Sequence, residues 1–336
     1  MSGFQAATEG DARQSALCTW LRGVGYRIDD IRLASGDASF RRYFRVLSDD
    51  TSYIAMDAPP EHEDCYPFAT VADLLASRDI HVPLVLAHNL NDGFLLLDDL
   101  GSRHYLDALD ADNAQRLYGD ALDCLFTLHS EVDHHLLPRY DDKLLYGEMQ
   151  LFVDWYLLRH CGIKLERADR EVLAQTFELL VDNALQQPRT FVHRDFHSRN
   201  LMVTEQRNPG VLDFQDAVSG PLTYDLVSLL RDCYIGWPQG QVATWAAGYH
   251  ARLVDSGLCE ADLETFARWF DLMGMQRHLK AIGIFTRLSY RDGKHGYMRD
   301  IPRTYQYIAD LYPHYPELSR FAELMQRCAI GGGDLP

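Results

Sequence analysis

The sequence predicts an α+β protein of two lobes, a small β-rich N-lobe over residues 1–100 and a larger helical C-lobe over 101–336. Three observations carry this prediction. Apolar and polar residues alternate through several short runs before residue 100, the period-2 mark of strands. Beyond residue 103 the apolar spacing lengthens to three and four over long segments, the mark of helices. A chain of 336 residues, 47% hydrophobic and 24% charged, is also long enough for two lobes and a substantial core.

Taken in order, an opening helix is expected over roughly 11–23, where Leu17, Trp20, Leu21 and Val24 keep helical spacing before Gly23 and Gly25. IRLASGDASFRRYFRV (31–46) reads as strand, tight turn and strand, and YIAMDA (53–58) as a third strand closed by Pro59 and Pro60. A helix over 64–79 and strands near 84–88 and 94–98 complete the N-lobe, which ends at DDLGS. Periodic segments at 112–130, 145–161 and 167–187 predict helices. Short strands are expected around 190–193, 201–204 and 210–213, with helices again from about 223.

The net charge of −17 argues against a nucleic-acid surface, which needs clustered Lys and Arg. No apolar stretch approaches the about 18 residues that span a bilayer, and the N-terminus lacks the basic start and apolar run of a signal peptide. Seven scattered cysteines with no CxxC pair suit reduced thiols better than disulfides or a zinc site. A cytoplasmic protein with no nucleic-acid, membrane or obligate protein partner is therefore expected.

The chemistry concentrates in FVHRDFHSRNLMV, residues 191–203. His193-Arg194-Asp195 is followed after four residues by Asn200, and thirteen residues after Asn200 comes Asp213-Phe214. HRDxxxxN followed by a strand-flanked DF is the pattern of phosphoryl transfer to an acceptor hydroxyl, and predicts a protein-kinase-like fold. Asp195 is placed to accept or orient the acceptor hydroxyl, and Asn200 and Asp213 supply hard oxygen ligands for Mg²⁺. The plain alternative, that Asp195, Asn200 and Asp213 only cap turns, does not require this joint spacing. His193 and His197 are expected to hold the loop in shape rather than enter the chemistry.

A nucleotide site is expected in the N-lobe. The turn ASGDASFRR lies between two strands, and its small residues, Gly36 and Ser39 among them, allow backbone N–H groups to approach phosphate. Arg41 or Arg42 would add positive charge; an ordinary hairpin turn is the alternative. Asp98 and Leu100 stand where an adenine would meet backbone, with the Asp98 and Asp99 side chains solvated or meeting the ribose. The kinase pattern also places a Lys on the third strand, whereas Tyr53-Ile54-Ala55-Met56-Asp57-Ala58 contains no Lys or Arg. Arg41, Arg42 or Arg45 must replace it if ATP is to be bound and used. DFQDAVSGPLTYDLVSLL then reaches Asp225 without a long activation segment, so a small-molecule acceptor is expected. Asp225 is expected to anchor the loop through backbone hydrogen bonds.

HRDFHSRN, LDFQDAVSGPLTYDL and the two-lobed layout resemble the aminoglycoside phosphotransferase family of kinase-like small-molecule kinases. YIAMDAPPE, FLLLDDLG, FHSRNLM, VLDFQDAVSGPLTYDLVSLLRDCY and QRHLKAIGIFTRL are most similar to the bacterial cell-wall amino-sugar kinases within it. That resemblance implies an ATP- and Mg²⁺-dependent kinase acting on the anomeric hydroxyl of N-acetylmuramate and N-acetylglucosamine, in peptidoglycan recycling. It also implies that a third-strand Lys is dispensable. A local charge reversal agrees. Between Arg277 and Arg303 seven Lys or Arg stand against two acids, while the whole chain has 32 basic and 49 acidic residues. A basic run suits an anionic acceptor such as a lactyl carboxylate better than a polycationic one, although a solvated helix face would read the same way. Arg277, His278 and Lys280 are the candidate sugar contacts, and Trp155 a candidate stacking platform if it is not simply core. A kinase of another small alcohol, such as an aminoglycoside or a choline-like compound, and a nucleotide-binding pseudokinase are the alternatives.

Overall fold

The computed structural model describes residues 6–36 and 40–328. The chain forms two compact units. One comprises residues 1–103 together with 201–216, the other 104–200 together with 217–336.

The first unit is built on a five-stranded antiparallel sheet of order β1-β2-β3-β5-β4. Its strands are β1 (Asp30–Gly36), β2 (Arg42–Ser48), β3 (Thr51–Asp57), β4 (Val85–Asn89) and β5 (Phe94–Asp98). Period-2 burial is plain in β2, where Phe44, Val46 and Ser48 are buried and Leu47 faces out. Phe44, Val46, Ala55, Phe94 and Leu96 pack under Leu17 and Leu21 of α1 (Ala6–Gly23). The helix α2 (Tyr66–Ala76) carries proline in its first turn, where the missing N–H costs nothing. Residues 201–216 join this unit for concrete reasons. The Val203 N–H donates to the Arg103 carbonyl (2.8 Å), the Val211 N–H donates to the His81 carbonyl (2.7 Å), and Phe214 packs on Phe68 at 4.8 Å between ring centres. Within the segment, β7 (Leu201–Met202) and β8 (Gly210–Val211) form a two-stranded ladder.

The second unit is helical: α3 (Tyr105–Ala108), α4 (Ala114–Glu131), α5 (Asp142–Leu151), α6 (Arg167–Leu185), α7 (Tyr224–Leu230), α8 (Gln239–Asp255), α9 (Leu263–Asp292), α10 (Ile301–Ala309) and α11 (Ser319–Arg327). Local chemistry sets several ends. Asp141 caps α5 by accepting from the Leu144 N–H (2.9 Å), Asp262 caps α9 through the Thr265 N–H (2.8 Å), and Gly293 closes α9 at φ +69°. The thirty-residue α9 runs through the core of the unit and buries residues along most of its length. A second ladder pairs β6 (Arg189–Val192) with β9 (Val218–Pro221), the latter not anticipated from sequence.

The segment 145–161, expected as one helix, changes character part-way. After α5 ends at Leu151, residues Phe152–His160 wind as a π-helix. The change falls where Gly283 of α9 comes against the chain: a Cβ there would lie 2.5 Å from the Leu151 carbonyl carbon and 2.6 Å from the Phe152 nitrogen.

Candidate active site

In the helical unit β6 delivers the loop His193–Asn200, and two buried aspartates pin it from the α7 segment. Asp225, at the start of α7, accepts from the His193 N–H (2.5 Å) and the Arg194 N–H (3.0 Å), the anchoring role expected for it. Asp232, just beyond α7, accepts from the Ser198 N–H (2.9 Å) and the Tyr234 N–H (2.8 Å). Arg194 sits at φ +76°, a left-handed conformation that a non-glycine residue keeps only when its surroundings over-determine it. The loop is also braced internally. The Asn200 amide donates to the Asp195 carbonyl (3.0 Å), and the Asp195 N–H donates to His193 Nδ1 (3.3 Å). His193 itself is fully buried, consistent with a framing role. The outcome is a fixed backbone that presents the Asp195 carboxylate with its side chain 42% exposed, open to a substrate.

Behind the loop lies a buried charge cluster centred on Glu148 of α5. Arg194 Nη2 donates to Glu148 Oε1 (2.5 Å), Lys280 Nζ lies 3.4 Å from the same oxygen, and the Tyr140 hydroxyl and Gln276 amide reach Oε2. Burial would raise the Glu148 carboxyl, but Lys280 and Arg194 outweigh it and hold it below its ordinary range. Asp195 follows the same logic although its side chain is partly open: the surrounding fold pushes its carboxyl up, and Lys280, His197, Arg277 and Arg194 hold it well below the usual carboxylate range. His197 Nε2 lies 3.9 Å from Asp195 Oδ1, and burial lowers the pKa of its ring against the pull of Asp232 and Asp195. Asp195 is thus an ionised, oriented carboxylate.

Of the residues singled out for the sugar, Arg277 and Lys280 are both buried on α9 and both act electrostatically on Asp195. Arg277 Nη1 meets Cys233 Sγ at 3.5 Å, while its Nε is buried without a hydrogen-bond partner. Lys280 Nζ donates to the Tyr224 hydroxyl at 3.0 Å. His278 faces elsewhere: its Nε2 meets the Arg231 carbonyl at 2.9 Å, its ring stacks on Tyr307, and burial drives its pKa down to about 3. Trp155 lies half-buried in the π-helix beneath the Arg159 guanidinium.

In the first unit Asp213 follows β8 at φ +63°, and its carboxylate accepts from the Gln215 amide (2.8 Å). Each arginine named as a substitute for the third-strand Lys meets an acid. Arg41 pairs with Glu63 (2.9 Å) and also feels the charge of Asp213. Arg42 pairs with Asp57 of β3, a fully buried carboxylate that Arg13 also holds (2.6 Å). Arg45 forms a two-pronged pair with Asp99 (2.7 and 3.0 Å). The side chains of Asp98 and Asp99 are engaged internally rather than solvated. Asp98 accepts from the Leu84 N–H (2.6 Å), while Asp99 also takes the Ser52 hydroxyl (2.5 Å) and the Gly101 N–H (2.9 Å). Gly36 ends β1 opposite Arg42, and Leu100 stands against Gly210; Ser39 lies outside the described residues.

Sequence reasoning missed Glu148, Asp232 and the pairing of Asp57 with Arg13 and Arg42. Asp232 had no periodic signal, since α7 ends at Leu230 and the residue lies beyond it. Glu148 had none, because its partners lie 8 to 132 positions away along the chain.

A five-stranded sheet unit, a helical unit and a rigidly held HRDxxxxN loop define a phosphotransferase of the kinase-like fold. Residues 30–264 match the phosphotransferase enzyme family, and the chain belongs to it. A protein of Pseudomonas putida named N-acetylmuramate/N-acetylglucosamine kinase is 47% identical over 299 residues, 89% of this chain and 88% of that one. One of the same name from Neisseria meningitidis serogroup B is 40% identical, over 93% of this chain and 95% of its own. Among solved structures, ADP-bound aminoglycoside phosphotransferase APH(2'')-Ib aligns with 87% of this chain and 97% of its own at a TM-score of 0.58 and 17% identity, a likeness of fold. No helix among the described residues is long and apolar enough to cross a membrane.

Proposed function

We propose that this protein is an ATP-dependent sugar 1-kinase that phosphorylates the anomeric hydroxyl of N-acetylmuramate and N-acetylglucosamine. The observation that carries the reading is the Asp195 carboxylate, partly exposed, ionised and fixed by its loop, in a chain 40–48% identical over most of its length to proteins named for that activity. Asp195 orients the anomeric hydroxyl towards the γ-phosphorus of ATP. As the new O–P bond forms and the bond to ADP breaks, the hydroxyl proton passes to Asp195. A carboxylate held this acidic is a weak base, but a loose transition state transfers the proton late, so orientation matters more than basicity.

Mg²⁺, when bound, would neutralise charge developing on the phosphates. The Asp213 carboxylate and the Asn200 amide oxygen suit that ion, since Mg²⁺ takes hard oxygens and is held through one or two carboxylates together with substrate phosphates. The Asn200 amide nitrogen donates to the Asp195 carbonyl, and its carbonyl oxygen is the atom that would coordinate the ion. Arg41, tied to Glu63 and sensed by Asp213, takes the part of the absent third-strand Lys. Gly36, Arg42, Asp98 and Leu100 are the residues proposed for the nucleotide, and Arg277, Lys280 and Trp155 those proposed for the sugar, with His278 turned to the Arg231 carbonyl. Seven free cysteines suit a reducing cytoplasm, where ATP is available.

A panel tests the reading: ATP consumption with N-acetylmuramate, N-acetylglucosamine, glucose and kanamycin, followed by phosphorus NMR of the product. Phosphate on C1 of the amino sugars is expected. Phosphate on another hydroxyl, or turnover of kanamycin alone, would replace it with a different small-alcohol kinase.

A further inference from the structure

Arg277, Lys280, Ile284, Arg287 and Arg291 lie at i, i+3, i+7, i+10 and i+14, a single stripe along α9. Its cations are differently engaged. Arg277 and Lys280 act on Asp195, and Arg291 pairs with its neighbour Asp292 at 2.7 Å. Arg287 is the exception: half-buried, in no ion pair among the described residues, with its Nε shielded from solvent and lacking a hydrogen-bond partner. Burial and the nearby Arg291 charge lower its pKa and outweigh the opposite pull of Asp292, which is itself paired with Arg291. A guanidinium stays charged regardless, and burying part of one without an acceptor is costly unless an external anion completes it.

Position supplies the anion's identity. Arg287 lies seven residues beyond Lys280, about 10.5 Å of helix rise. Helical side chains lean towards the N-terminus, a direction that favours reach from Arg287 back towards Lys280. A pyranose with its C1 oxygen at Asp195 and an acidic ether on O3 would extend a carboxylate away from Asp195, and a cation further along the α9 stripe is suited to meet it. We propose that Arg287 binds the lactyl carboxylate on O3 of N-acetylmuramate and so sets the enzyme's preference between its two amino sugars. The assignment rests on the sugar-kinase reading above. N-acetylglucosamine, which lacks the lactyl ether, makes no use of Arg287.

The test compares wild type, Arg287→Gln and Arg287→Lys in a coupled ADP-release assay with both sugars, and gives wild type the methyl ester of N-acetylmuramate. Loss of one charge-assisted contact is worth roughly 10- to 100-fold. Arg287→Gln is expected to raise KM for N-acetylmuramate by that factor while leaving the constants for N-acetylglucosamine within about twofold. Arg287→Lys is expected to recover part of the loss, and the methyl ester to show the same penalty with no mutation at all. An equal fall on both sugars, or a methyl ester used as well as the free acid, would overturn the assignment and leave the sugar-kinase reading intact. Wild type that phosphorylates neither sugar would bring down that reading, and this assignment with it.

Discussion

Glu148 offers the sharpest test of how the active loop is held. Its carboxylate is buried and shared by Arg194, Lys280, Tyr140 and Gln276. Glu148→Met leaves two cations facing a low-dielectric interior without their counter-charge, a loss worth roughly 3–5 kcal/mol. Each kcal/mol shifts the melting temperature of a unit of 150–250 residues by about 2–4 °C, so the variant is expected to melt roughly 6–20 °C below wild type. Lys280→Met is expected to cost less, because Glu148 keeps Arg194 and its two neutral donors. In Glu148→Met/Lys280→Met the stranded ammonium is gone, so the combined loss should fall short of the two single losses by about 1–3 kcal/mol. Circular-dichroism melts at pH 7 read all three variants. A Glu148→Met melt within about 2 °C of wild type, or strictly additive losses, would refute a buried electrostatic hub.

Four further outcomes are expected. Asp195→Asn keeps shape but loses proton acceptance and most of the orienting charge, so kcat should fall about 10²–10⁴-fold with the melting temperature nearly unchanged. Activity within a few-fold of wild type would remove Asp195 from the chemistry. For Asp225, burial first and the nearby Asp195 charge raise the folded pKa to about 7, against about 3.9 unfolded. Between those values the folded state holds a proton that the unfolded state has released, so this group's contribution is full below about pH 4 and is lost as pH rises towards 7. The stability of wild type relative to Asp225→Asn should therefore decline by up to about 1.4 kcal/mol per pH unit in that window, and a flat difference in urea titrations would contradict it. Gly283→Ala forces a Cβ against backbone atoms at 2.5 and 2.6 Å and should cost about 1–3 kcal/mol or more. Gly119→Ala on α4 meets nothing within 4 Å and should instead stabilise by about 0.5–1 kcal/mol; paired thermal melts decide both.

What the sequence made legible follows from the range over which each signal acts. Period-2 runs placed β1 to β5 within a few residues, since alternation such as Phe44-Arg45-Val46 is written locally. The spacing of Asp195, Asn200 and Asp213 was equally readable, because it lies along one stretch of chain. β9 escaped notice because Val218-Ser219-Gly220-Pro221 has neither length nor alternation and is made a strand by pairing with β6. The turn to π-helix at Phe152 left no mark either, and the glycine packed against that point lies 131 residues later. The sequence also runs the second lobe unbroken from residue 101, whereas residues 201–216 fold with the first unit through partners at His81 and Arg103. The acids that tie down the candidate phosphate-lobe arginines are similarly invisible: Asp57 reads as one more polar strand residue until Arg13 and Arg42 close on it.

That last exchange alters how the protein can be addressed chemically. With aspartate at the end of β3, and no lysine anywhere in residues 1–103 or 201–216, the first unit carries all its positive side-chain charge as guanidinium or imidazole. Nucleotide probes that acylate a strand lysine will find no primary side-chain amine there to react with. Compounds built around a reversible imine with such a lysine will likewise spare this enzyme while engaging lysine-bearing kinases. Guanidinium-directed dicarbonyl reagents are the complementary choice, and the paired acids at Asp57, Glu63 and Asp99 set how readily each arginine yields to them.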